Sequence, residues 1–401
     1  MVQKIELKLP ASYAIIYINW IFPCLLFSGF LRQDRLHTVF WFGGIGLSPE
    51  LSIIIPIYNL ADLIRDTLDC ILAQSYTNFE LILVDDGSSD GTVEILRDYQ
   101  ARDARVRLIQ QANAGPAAAR NTGIDAATGR RILFVDGDDT IQPDALAFIA
   151  EKTAETDCDL MIFGFRTKNI SGATDFLYTY PETLLSDSAS LSAHFADLYQ
   201  SNLLNQVWNK VYRTELLRAG HCRFLDYRYG EDRLFVFDIL PRCKTIYISD
   251  RCLYNYFIRS KESLVSKFCA EKFEVCNRFD ETIQAFLAAH QITDEKSVQE
   301  INYMYLKSIL SCETNLFLPS CPYSRSEKRR HMRGIITNDQ VRAAVRRYQK
   351  HGFVMNTIVR IFRTENCTLN VWMASAISFI SRHFSTVFIR AKHPEAQSAK
   401  E

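Results

Sequence analysis

Regular patterning begins at residue 51. Leu51–Ile57 (LSIIIPI) is a short apolar, β-branched run of the kind that forms a strand buried on both faces. Leu60, Leu63, Ile64, Leu68, Ile71 and Leu72 then recur at helical spacing. Leu81–Val84 predicts a second buried strand, a helix follows near Val93–Tyr99, and Val106–Ile109 predicts a third strand. Pro116 stands where proline best opens a helix, ahead of the small residues of Ala117–Ala127. Ile132–Val135 reads as a fourth strand before a helix opened by Pro143 and Asp144. Strands alternating with helices predict an α/β domain with a mostly parallel sheet. Such sheets bind ligands beyond the carboxyl ends of their strands, which here carry Tyr58-Asn59, Asp85-Asp86 and Asp136–Asp139.

The chemistry at those strand ends is acidic. The second strand runs into Asp85-Asp86-Gly-Ser-Ser-Asp90-Gly-Thr92 and the fourth into Asp136-Gly-Asp138-Asp139. Taken singly, each reads as an Asp-Gly turn with a helix cap. Taken together at neighbouring strand ends, they place several carboxylates in one crevice, where they repel unless a cation or donors offset them. Hard divalent ions such as Mg²⁺ seek one or two carboxylates plus phosphates and water. The first loop, Pro56-Ile-Tyr-Asn59, has no G-x-G-x-x-G, which argues against a dinucleotide-binding domain. It also lacks the Gly-rich basic loop expected of a nucleotidyltransferase, the rival enzymatic reading.

LSIIIPIYN, LILVDDGSSDGT, NAGPAAARNTGIDAATGRRILFVDGDD and the later GEDRLF together resemble glycosyltransferase family 2. The resemblance is specific over residues 51–145 and looser through Trp208-Asn-Lys210, Gly230-Glu-Asp232 and Tyr254–Ser263. It implies a GT-A fold, a Rossmann-like sheet flanked by helices, and a bacterial polysaccharide-type enzyme. The implied reaction moves a sugar, with inversion, from a nucleotide-sugar donor, UDP foremost, to a hydroxyl of a glycan or lipid-linked acceptor, with Mg²⁺ or Mn²⁺ as cofactor. Carried over by residue, it implies that Pro56, Tyr58 and Asn59 line the base and ribose pocket. Asp86, with Asp85 beside it, bonds the base; Asn113, Gly115, Arg120 and Asn121 shape the nucleotide side. Asp136 faces the ribose or donor sugar, Asp138 the metal, and Asp232 is the catalytic base. Glu231 supports Asp232, and Trp208, Lys210 and Arg259 are expected at the acceptor or the diphosphate, with Arg259 near Ser263. The plain alternatives are a first-turn dipole pair for Glu231-Asp232, a core aromatic for Trp208 and a solvated Lys210. A non-enzymatic homologue that only binds nucleotide sugar is the other alternative, and intact Asp138 and Asp232 speak against it.

Composition and charge refine the outer parts. Lys plus Arg and Asp plus Glu number 46 each, so the net charge is zero and a dedicated nucleic-acid binder is not expected. Eleven cysteines lie scattered without a C-x-x-C pair, as reduced buried thiols of a cytosolic protein would. Three parts are expected: an N-terminal segment 1–48, a transferase domain 49–265 and a helical basic region 266–401. Residues 11–31 carry no charge and are long enough to span a bilayer, although Pro23 and several polar residues interrupt them; they read equally as a surface-lying or domain-packed segment. Residues 321–370 hold 11 Lys/Arg against Glu327, Asp339 and Glu365, a net of +8, and the remainder of the chain carries −8. This basic, amphipathic end predicts contact with a membrane surface and a location at the cytoplasmic face of the cell membrane.

Overall fold

The computed structural model describes residues 48–169, 175–259, 267–349, 352–383 and 397–398. The N-terminal segment, including 11–31, and Ser263 lie outside the described residues.

The βαβ units form as the hydrophobic pattern predicts. Strand β1 (Leu51–Ile57) is flanked by β2 (Phe79–Asp85) and β4 (Arg131–Phe134), both parallel to it, and β3 (Val106–Gln110) adds parallel to β2. Leu51, Ile53, Ile54, Ile55 and Ile57 of β1 are all essentially buried, each stabilising the fold by about 1.5–3 kcal/mol relative to an exposed position. The crossovers are α1 (Ile64–Leu72), α2 (Thr92–Arg102) and α3 (Pro116–Ala126). Helix α1 starts at Ile64; Leu60 instead belongs to the turn that brings the strand end to the helix. Helix α3 presses so closely on β1 that a Cβ at Gly123 would sit 2.3 Å from Ile54 Cγ2, which explains its run of small residues.

Past β4 the sheet continues through the short β5 (Thr140–Ile141), α4 (Ala145–Thr156), β6 (Leu160–Asn169), β7 (Phe176–Tyr178), β8 (Thr183–Leu185), α5 (Ser188–Gln200) and β9 (Lys210–Arg213). Strand β9 lies antiparallel between β4 and β6. After α6 (Thr214–Ala219) and α7 (Glu231–Ile239), the long β10 (Ile246–Ile258) runs parallel to β6 and returns to pair with β5 beside the Asp136–Asp139 turn. The short β11 (Gln397–Ser398) pairs with β7.

The remaining helices are α8 (Lys272–Ala289), α9 (Glu295–Asn315), α10 (Arg325–Ile336), α11 (Asp339–Arg347), α12 (Phe353–Arg363) and α13 (Cys367–His383). Val275, Phe279, Ile283 and Phe286 of α8 and Ile301 of α9 join the core of the sheet domain. Cys276, Tyr305, Leu306 and Ile309 turn instead into a second core with α10–α13. The ten described cysteines are free thiols.

Candidate active site

Each parallel strand delivers its chemistry at its carboxyl end. Pro56 is tolerated in central β1 because β4 pairs with β1 only as far as Ile54↔Phe134, so no neighbour there needs its missing N–H. Tyr58 follows, half exposed, and Asn59 takes a left-handed turn with φ +52°. Asn59 ties the first loop to the second: its N–H donates to Ser88 Oγ at 2.9 Å and its Oδ1 accepts from Ser89 N at 2.8 Å. Asp85 is buried and accepts from Ser88 N. Asp86, also buried, accepts from Gln111 Nε2 (2.7 Å), Ala114 N (2.9 Å) and Gly115 N (2.8 Å). Its carboxylate therefore organises the loop that carries exposed Asn113 and leads through Gly115, at φ +88°, into α3. Asn121 points elsewhere, exchanging two 2.9 Å hydrogen bonds with the backbone of Phe224.

The Asp136–Asp139 turn is held from two sides. Thr67 of α1 donates to the carbonyls of Gly137 (3.0 Å) and Asp139 (2.8 Å). From β10, the Tyr254 hydroxyl donates to Asp139 Oδ2 (2.9 Å) and accepts from Asp136 N (3.1 Å), while Phe257 N donates to Asp139 Oδ1 (2.8 Å). Asp139 is fully buried, and burial, reinforced by Asp136, pushes its pKa up to about 8. Asp139 and Tyr254 thus set the shape of the turn, a role that spacing along the chain could not disclose because they meet only in the fold. Asp138 keeps its carboxylate partly exposed; burial and the neighbouring Asp136 raise its pKa, opposed by Arg259. Arg259 donates to the Asp138 carbonyl, and its Nε lies 4.0 Å from Asp138 Oδ2.

Arg120 links the two acidic motifs. Its guanidinium is buried, donating to Asp136 Oδ1 and to Asp232 Oδ1, each at 3.1 Å, with Glu231 Oε1 at 3.7 Å. Burial works against its charge, but the fields of Asp232, Asp136 and Glu231 prevail and raise its pKa. Glu231 and Asp232 form the first turn of α7, whose N-cap Gly230 has φ +77°. Burial, with Glu231 and Asp136 adding to it, pushes Asp232 up to about 7 against the pull of Arg120 and Lys210. About one-fifth of the Asp232 side chain, 22%, stays exposed, so it remains open to a partner from solvent.

Two expected acceptor residues are corrected. Trp208 is buried and stacks on Tyr254, ring centroids 4.3 Å apart, so its indole is occupied by core packing beneath the turn. Lys210 is fully buried, and its Nζ donates to Leu203 O (2.5 Å), Gln206 O (2.5 Å) and Asn209 Oδ1 (2.7 Å). Three oxygen acceptors use all three ammonium protons, leaving none for a phosphate. Burial pulls the Lys210 pKa well below its ordinary value, while Asp232 opposes the fall.

The strand ends and the start of α7 thus bring paired acidic motifs together around Arg120, and comparison with known proteins decides what kind of site this is. The model of the family described as Glycosyl transferase family 2 matches residues 52–219. Residues 52–219 are a glycosyltransferase family 2 domain. EpsJ of Bacillus subtilis (strain 168), an uncharacterized glycosyltransferase, is 33% identical over 209 residues, 52% of this chain and 61% of that protein. The poly(ribitol-phosphate) beta-glucosyltransferase of Bacillus spizizenii (strain ATCC 23059 / NRRL B-14472 / W23) is 30% identical over 218 residues, 52% of this chain and 32% of that protein. The chain therefore spans less than two thirds of either relative. Among solved structures, residues 1–349 of S. aureus TarS, in complex with UDP-GlcNAc, superpose with a TM-score of 0.59 at 22% identity, covering 84% of this chain and 92% of that one. That likeness confirms the GT-A architecture of the family 2 domain.

Among the described residues no group of three or more His, Cys, Asp or Glu side chains is arranged to hold a metal ion. Mg²⁺ in general needs fewer protein ligands, since phosphate and water oxygens complete its shell. Asp138 suits such a shell. It is an oxygen donor, partly exposed, whose charge is disfavoured by burial and Asp136 and would be relieved by a cation.

Proposed function

We propose that the chain transfers a sugar from a nucleotide-sugar donor, UDP foremost, to a hydroxyl of a glycan or lipid-linked acceptor, with inversion. The observation that carries this reading is the Arg120 bridge, which sets the donor-side Asp136 and the acceptor-side Asp232 on one guanidinium. The S. aureus TarS structures, solved with UDP and with UDP-GlcNAc on the same fold, support UDP as the nucleotide. Tyr58, Asn113 and the buried Asp85-Asp86 pair border the base and ribose, and Asp136 faces the ribose or donor sugar.

Asp138 would hold Mg²⁺ or Mn²⁺, which when bound supplies positive charge to the diphosphate oxygens as Lewis acid. Asp232 takes the proton of the acceptor hydroxyl as that oxygen bonds to the anomeric carbon. The bond from the anomeric carbon to the diphosphate breaks on the opposite face, and the nucleoside diphosphate leaves with the electron pair. A pKa near 7 suits this role, because the carboxylate is both populated and basic at neutral pH. Arg120 keeps Asp232 oriented and partly ionised within its cluster of acids.

A panel of nucleotide sugars incubated with the full chain and Mg²⁺ or Mn²⁺, with and without glycan and lipid-diphosphate acceptors, tests the reading. Release of nucleoside diphosphate that stops in EDTA is expected. Failure to turn over any nucleotide sugar, or release of pyrophosphate from a nucleoside triphosphate instead, would overturn it.

A further inference from the structure

Helix α13 buries a narrow edge of small and polar residues and leaves much of its apolar surface exposed. Its fully or nearly buried positions include Asn370 (0% exposed), Ala374 (0%) and Ser378 (2%), spaced four apart on one face. Its exposed face carries Leu369 (47%), Trp372 (71%), Ala376 and Ile380 (46%). Part of this buried polarity is absorbed locally, since Asn370 Nδ2 donates to Asn366 O at 3.0 Å and Ser378 Oγ to Phe317 O at 3.3 Å, while Asn370 Oδ1 is buried without a hydrogen-bond partner. Val371, Met373 and Ile377 pack partly against the second core beside these small residues, while Leu369, Trp372, Phe379 and Ile380 are left outside. No charged residue occurs from Cys367 to Ser381. Single exposed apolar residues are ordinary, but a continuous stripe along one helix face marks a surface that meets an apolar phase. Phe353 (85%) and Val354 (70%), at the start of α12, are also exposed.

The stripe has a basic border. Arg325, Arg329, Arg330 and Arg333 of α10 are exposed, and Arg329 Nη2 donates to Thr368 Oγ1 at 2.9 Å, so the arginines begin where the stripe begins. All three acids of segment 321–370 are engaged, Glu327 in the capping box of α10 and both Glu365 and Asp339 with Arg342. We propose that the α13 stripe and the α10 arginines together dock the protein on an anionic lipid surface. Trp and aliphatic side chains favour the boundary between headgroups and acyl chains, and the adjacent guanidiniums meet lipid phosphates. A second copy of this chain is the poorer occupant, because self-association would bring two segments of +8 together. Docking does not depend on the transferase reading and is tested apart from it.

The test floats the full chain with vesicles of phosphatidylcholine, with and without phosphatidylglycerol. Flotation is expected with the anionic vesicles and should weaken as salt rises from about 0.1 M to about 0.5 M. The double variant Leu369→Glu/Trp372→Glu should bind about tenfold less or weaker still, with an unchanged melting curve because both positions are exposed. Trp372→Phe should keep binding but lose the tryptophan quenching caused by brominated phosphatidylglycerol. Flotation unaltered in the double variant would overturn the proposal, since attachment would then run through other residues. Absence of flotation in the wild type would also overturn it, as would a dimer that the double variant dissociates without any effect of lipid.

Discussion

Arg120 holds three carboxylates near one guanidinium, and this makes the acidic pair Glu231-Asp232 more than a favourable start to α7. Removing one partner of a buried ionic cluster leaves charges uncompensated and costs about 3–5 kcal/mol. Arg120→Met should therefore lower the melting temperature by several degrees and depress turnover, measured by calorimetric scanning and by nucleotide release. Asp232→Asn preserves shape and hydrogen bonding but removes the base. It should cut turnover by on the order of 10²–10⁴-fold while metal-dependent UDP binding, followed by titration calorimetry, stays nearly intact. Glu231→Gln should cost less. Because a base works only when deprotonated, kcat/KM should fall as pH drops through about 7, following the raised pKa of Asp232. A profile flat from pH 6 to pH 8 (about one unit either side of that midpoint) would remove Asp232 from the role.

At the scale of elements, the Asp136–Asp139 turn is shaped by strands far away in sequence. Tyr254 of β10 reaches the turn 118 residues earlier in the chain, bonding Asp136 N, and also bonds Asp139. Tyr254→Phe deletes both bonds without changing the ring. Groups that orient a ligand in this indirect way typically contribute 10–100-fold to metal affinity. The Mn²⁺ concentration for half-maximal UDP binding should rise by about tenfold, with little change in secondary structure by circular dichroism. Lys210, at the start of β9, acts differently. Its ammonium pins the 203–206 loop, so Lys210→Met should lower thermal stability while leaving the KM for donor nearly unchanged in the folded fraction. A rise in donor KM without loss of stability would restore Lys210 to the ligand.

For the whole molecule, donor nucleotide and metal should act as one ligand of the folded state. At a UDP concentration about 100 times its Kd, saturable binding adds about 2.7 kcal/mol. In a protein of this size that raises the melting temperature by roughly 3 °C, read by scanning fluorimetry with Mn²⁺ present. EDTA and Asp138→Ala should each abolish the shift; a full shift in EDTA would separate nucleotide binding from metal. Among the described residues no helix is long and apolar enough to cross a membrane. The uncharged 11–31 stretch lies outside them, and attachment through it would persist in high salt, unlike attachment through the α10 arginines.

The alternation of buried runs and helices was legible from residue 51 onward because local periodicity determines which segments become strands and where they stop. The acidic clusters sit at those stops, so their gathering beyond the carboxyl ends of neighbouring strands could be read from the chain alone. Tertiary packing decided the rest. Trp208 and Lys210 carry side chains that suit a sugar or a phosphate, yet Tyr254 and the carbonyls of Leu203 and Gln206 claim them first. Arg120 and Asp232 are 112 residues apart, and only folding α3 against the start of α7 makes them partners. Helix α13 shows the limit most directly: Val371, Met373 and Ile377 pack on the second core while Leu369 and Trp372 stay exposed, a division among similar apolar residues that only packing against α9 and α10 decides. Hydrophobicity states that a face must leave water, and the tertiary structure alone determines whether it does so within the fold or outside it.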